Sequence, residues 1–85
     1  MIKVLDFYAN WCPPCKIMVP VIEELEKELA GKVQFEKINI DQNQEMASKY
    51  NVMSIPTYVT VDNGEEKGRL IGATSKEEFL KFAFK

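Results

Sequence analysis

Cys12 and Cys15 are the two cysteines of the chain, set in Trp11-Cys12-Pro13-Pro14-Cys15. At a helix start this spacing puts both sulfurs on one face, one turn apart, close enough to bond with little backbone movement. A bridge that short closes a loop of a few residues and removes little entropy from an unfolded chain, so it is suited to reversible exchange rather than to stapling the fold. Two rival readings are weaker. A structural zinc site needs four ligands, and the sequence has no histidine and no third cysteine, so neither a metal nor another cofactor is expected. A purely structural disulfide would secure little chain and would be reduced in a cytosol. In exchange chemistry the two thiols are unequal. Cys12 falls at the cap position, where the helix dipole and a free backbone N–H stabilise a thiolate, and is the expected exposed nucleophile. Cys15, one turn further in and shielded, is expected to resolve the mixed disulfide by attacking Cys12.

The elements around the pair follow from hydrophobic periodicity. Residues 2–8 are nearly all apolar, broken by Lys3 and Asp6, as in a central strand buried on both faces. Met18, Val21, Ile22, Leu25 and Leu29 recur at helical spacing after the cysteines. The prolines suit the first turn of that helix and Gly31 its end, while Pro20 is expected to kink it. Residues 33–40 read as a second strand covered on both sides, with Val33 and Phe35 on one face and Ile38 and Ile40 on the other. Residues 41–50 read as a short helix capped by Asp41 or Asn43 and closed by Asn51. Residues 57–61 and a stretch ending at Ile71 flank Asn63-Gly64, a hairpin signal. Ser75 with Glu78 forms a capping box for a last helix that turns Phe79, Leu80, Phe82 and Ala83 inward. The order is β-α-β-α-β-β-α, an α/β fold.

The chain has 85 residues, 46% of them hydrophobic and 28% charged, with a formal net charge of −2. One globular domain over residues 1–85 is expected. Such a balance offers no basic footprint for nucleic acid. An acid at position 6 interrupts the N-terminus, which lacks the apolar region of a signal peptide, and no apolar run approaches membrane-helix length. A cytoplasmic protein that binds neither nucleic acid nor membrane is expected.

Several motifs in the right order resemble the thioredoxin family over nearly the whole chain. Asp6-Phe7-Tyr8-Ala9-Asn10-Trp11-Cys12 is similar to the family's strand with a buried aspartate six residues before the first cysteine. Cys15-Lys16 with Pro20 resembles its active-site helix, and Lys37-Ile38-Asn39-Ile40-Asp41 the segment whose lysine approaches that aspartate. Ser54-Ile55-Pro56-Thr57 resembles the loop with its cis-proline, and Ile71-Gly72-Ala73 the glycine loop beside the active site. The resemblance implies a thioredoxin-like fold, a truncated β-α-β-α-β-β-α with a four-stranded mixed sheet flanked by helices. It also implies protein-disulfide reduction through Cys12 and Cys15. Asp6, its pKa raised by desolvation, would take the proton of Cys15, with Lys37 as its partner. Trp11, Ile55, Pro56, Ile71, Gly72 and Ala73 would frame a groove in which the Ile55 backbone pairs with an extended substrate segment. Partners would be disulfide-containing proteins and an electron-donating reductase, with the chain itself a monomer.

Two departures matter. The commonest spacer in the family is Gly-Pro, whereas Pro13-Pro14 resembles tryparedoxin-like and nucleoredoxin-like branches. Pro13 also withdraws an N–H that could reach the Cys12 sulfur. The strand and helix that usually precede the position of Ile2 have no counterpart, which leaves the strand around Phe35 as a sheet edge. Two alternatives stay open: a glutaredoxin-like reductase coupled to glutathione, and a binding module on a thioredoxin scaffold.

Overall fold

The computed structural model describes residues 1–83; the expected domain runs on to residue 85, and its last two positions lie outside the described residues. The elements are β1 (Ile2–Tyr8), α1 (Pro13–Glu28), β2 (Val33–Asn39), α2 (Gln44–Lys49), β3 (Thr57–Asp62), β4 (Glu65–Ile71) and α3 (Lys76–Ala83). The strands form one mixed sheet in the order β2-β1-β3-β4, with β1 parallel to β2 and antiparallel to β3. The expected element order and four-stranded mixed sheet are both present, and β2 is an edge.

Pleating decides which residues meet α1. Along β1, Val4 packs with Met18, Ile22 and Leu25 of α1 and Phe79 of α3, while Leu5 and Phe7 turn to the other face, toward Ile38 and Val59. Asp6 shares the parity of Val4 and so lies on the α1 face. Its neighbours across the sheet are Lys37 of β2 and Tyr58 of β3. Met46, Tyr50 and Val52 of the α2 region cover the opposite face. Ring centroids of Phe79 lie 5.1 Å from Tyr58, 5.8 Å from Phe82 and 6.1 Å from Phe35, which ties α3 to both β2 and β3.

Turn chemistry closes the elements. Asn63 and Gly64 both have positive φ, 53° and 80°, as a two-residue hairpin turn requires. Asn51, at φ 52°, ends α2: its N–H donates to Ser48 O and that of Val52 to Ala47 O, a Schellman pattern. The start of α2 differs from expectation. Residues 41–43 form a turn rather than helix, because Gln42 N and Asn43 N both donate to Asn39 O and Asp41 N donates to Asn39 Oδ1. Asn43 is the cap residue, yet its side chain also reaches back to Asn39 O at 3.2 Å instead of capping.

Candidate active site

The chain reaches the cysteines directly from β1. Ala9 O accepts from Cys12 N, and Cys12 becomes the N-cap of α1 with extended backbone, φ −91° and ψ 109°. Pro13 and Pro14 fill the first two helical positions, so Cys15 N is the first amide able to donate inward, and it donates to Cys12 Sγ at 3.3 Å. A capping side chain is served by the second and third helical amides. Pro13 lacks the first helical N–H and Pro14 the second, so the Pro-Pro spacer leaves the sulfur one amide donor, the third, that of Cys15.

Both thiols are unbonded to each other and buried. Here the structure corrects one expectation: Cys12 is not exposed. Its residue exposure is 3%, against 6% for Cys15. Cys12 is buried in a cluster with Ala9 and Cys15 against which Tyr8, Ile40 and Ile55 pack, and its sulfur has Ile55 O as acceptor at 3.8 Å. Burial, then the hydrogen bond to Cys12, pushes the Cys15 thiol up to about 12, a shift to which the Cys12 and Asp6 charges add and which Ala9 backbone opposes. Cys15 therefore holds its proton.

Asp6 is 7% exposed, and desolvation raises its pKa to about 6 against the lowering effect of the Lys37 charge, with Glu26 adding to the rise. A cavity of about 410 Å³ brings Asp6 together with Cys15, Lys37, Lys16, Tyr8 and Tyr58. Lys37 is the strand neighbour of Asp6, but its ammonium forms an ion pair with Glu26 at 3.5 Å, half exposed. It acts on Asp6 through its field rather than through a bond. Tyr58, 1% exposed and the neighbour of Asp6 on the other side, has its phenol pKa raised by burial first and then by the charges of Asp6 and the cysteines.

The remaining expected residues lie around this centre. The Ile55–Pro56 peptide is cis. Pro56 is buried and Ile55 half-buried beside the cysteines, and Gly72 N, at φ 93°, donates to Pro56 O at 2.8 Å. That bond joins the proline loop to the Ile71–Ala73 loop, whose Ile71 is 61% exposed. Trp11 is 64% exposed and does not cover the core; its indole donates to Asp41 Oδ2 at 2.8 Å. Asp41 and Tyr58 are the site neighbours that sequence reasoning missed. For Tyr58 the signal is its strand register with Asp6, and for Asp41 the loop after β2, neither of which local periodicity carries. Among the described residues, no cluster of three or more His, Cys, Asp or Glu side chains is placed to hold a metal ion, and no helix is long and apolar enough to cross a membrane.

The thioredoxin family model matches residues 1–85. The chain is 47% identical over 77 residues to a thioredoxin of Rickettsia felis, covering 91% of this chain and 73% of that protein. It is 46% identical over 76 residues to a thioredoxin of Bacillus subtilis, covering 89% and 73%. In structure it is similar to oxidized mitochondrial thioredoxin 3 of Saccharomyces cerevisiae, with a TM-score of 0.90 and 34% identity over 98% of this chain and 76% of that one. The chain belongs to the thioredoxin family. It is a thiol–disulfide oxidoreductase, an enzyme of the protein-disulfide oxidoreductase class. Enzymes of this family act on disulfide substrates and take their electrons from a reductase.

Proposed function

We propose that the chain reduces disulfides in proteins, with Cys12 as nucleophile, Cys15 as resolving thiol and Asp6 as proton acceptor. The observation that carries this reading is the division of labour at the helix start: Cys12 Sγ receives the first free amide, while Cys15 is held protonated above a buried carboxyl. The Cys12 thiolate attacks one substrate sulfur and the other leaves as a thiolate that takes up a proton. Once Cys12 is in the mixed disulfide, its hydrogen bond and charge no longer hold the Cys15 proton. The proton passes to the Asp6 carboxylate, Cys15 attacks Cys12 Sγ, and the second substrate thiolate departs. Two electrons have moved, and a reductase returns the pair to dithiols. The burial of Cys12 adds one requirement: the Ile55 carbonyl must yield the sulfur to the incoming disulfide.

Trp11, Ile55, Pro56, Ile71, Gly72 and Ala73 frame the groove for an extended segment of substrate, and Lys37 tunes Asp6. The chain works as a single domain and a monomer, since the β2 edge carries Glu36 and Lys37, each in an ion pair with Lys3 and Glu26 respectively. A cytoplasmic setting, where thiols are kept reduced, fits the role. The test is reduction of an interchain protein disulfide by the reduced chain. Cys12→Ser abolishes it, and Cys15→Ser accumulates a covalent adduct with the substrate. Full activity of Cys12→Ser, or no adduct with Cys15→Ser, overturns the assignment. Turnover that requires glutathione assigns the chain to the glutaredoxin-like alternative, and unchanged cellular function with both cysteines replaced by alanine assigns it to the binding module.

A further inference from the structure

Thr74 lies in the loop that carries the chain from Ile71 to α3, and its backbone N–H donates to the thioether sulfur of Met18 at 3.4 Å. Met18 is 2% exposed and sits on α1 one turn beyond Cys15, on the same face. It also lines the cavity that holds Asp6 and Cys15. A thioether is a weak acceptor, and an aliphatic side chain of similar volume would fill the same space. What the sulfur adds is a partner for a main-chain donor that a loop half-removed from water would otherwise leave unmatched. The loop is thus tied at two points on either side of Ala73: Gly72 N to Pro56 O at 2.8 Å, and Thr74 N to Met18 Sδ. The first tie sets the loop against the proline loop, the second against the helix that bears the cysteines.

We propose that Met18 is a positioning residue for substrate recognition, its sulfur fixing the Ile71–Ala73 rim relative to Cys12 and Cys15. This rests on the reading of that rim as part of the groove for an extended protein segment. Met18 touches no reacting atom in the proposal, and it acts through the loop. A substrate that spans the groove gains from a rim already in place, whereas a small disulfide that reaches only the sulfurs does not.

Met18→Leu, close in volume and without an acceptor, is the test. The expected result is a KM for an interchain protein disulfide raised roughly twofold, the low end of what one hydrogen bond contributes because the thioether is a weak acceptor, with kcat unchanged. The rate with a small aromatic disulfide stays at the wild-type value. The Thr74 amide, followed by NMR hydrogen exchange, loses protection in the variant. Equal slowing with both disulfides, or an unchanged KM for the protein disulfide, overturns the proposal. A measurement on the wild-type chain decides the matter even where the variant does not fold: a Thr74 amide exchanging at the rate of an unprotected peptide overturns it. That readout is independent of activity, so a chain that fails to reduce protein disulfides at all refutes the functional reading and leaves the Met18–Thr74 contact to be judged by exchange alone.

Discussion

Asp6 carries a charge that folding works against. Its carboxyl titrates near 6 in the fold against 3.8 for the free group, so between those values the folded chain holds a proton that the unfolded chain has lost. Stability therefore falls as pH rises from about 4 to about 6, and the penalty is fully present above that window. A rise of about two pKa units corresponds to roughly 2–3 kcal/mol. Asp6→Asn is expected to stabilise the chain by roughly that amount at pH 8 and by almost nothing at pH 3, as denaturant melts at the two pH values will show. The same variant is expected to slow release of substrate from the mixed disulfide more than formation of it, measurable by stopped flow; equal slowing of both steps would remove Asp6 from proton transfer. The placement of Cys12 at the cap and of Cys15 in the first turn was legible in sequence because a helix start fixes both locally. The burial of Cys12 was not, since it depends on Ile55, 43 residues away, and the Trp11 bond to Asp41 spans 30 residues.

At the scale of elements, helix ends are where local chemistry speaks most plainly. Ser75 Oγ accepts from Glu78 N at 3.1 Å, half of the capping box that Ser75 and Glu78 signal in sequence. Ser75→Ala is expected to cost about 1 kcal/mol in a denaturant melt, with disulfide reduction unchanged because the cap lies outside the proposed groove. The hairpin at Asn63-Gly64 and the closure of α2 at Asn51 were equally legible, both demanding a left-handed residue that Asn and Gly supply. The start of α2 was not. Asp41 and Asn43 are both good caps, and the choice between them fell to Asn39, whose carbonyl and side chain gather the amides of residues 41–43 into a turn. A second tie belongs to this scale: Arg69 Nη2 of β4 donates to Tyr50 O at 2.7 Å, securing the end of α2 to the sheet.

Over the whole molecule, the helix layer of α1 and α3 converges on Phe79, which is fully buried. Phe79→Ala removes contacts to Phe35, Tyr58 and Phe82 and is expected to cost about 3–5 kcal/mol. A chain of 85 residues has on the order of 4 to 13 kcal/mol in total, so the variant should lose a large part of its thermal margin, visible as a melting temperature lowered by more than ten degrees or as failure to fold. The central position of β1 was readable from its apolar run, and the two faces of β2 from Val33 and Phe35 against Ile38 and Ile40, while the four-stranded mixed sheet came from the family resemblance. The cross-strand row of Lys37, Asp6 and Tyr58 was not, because register is set between strands and not along them. Trp11 is the sole tryptophan of the chain, and it stands in solvent one residue before the reactive sulfur, its indole anchored to Asp41. All indole fluorescence of the molecule thus originates at the rim of its redox centre, and the oxidation state of the centre, or the arrival of a partner over it, can be followed as a change in light emitted from one known position.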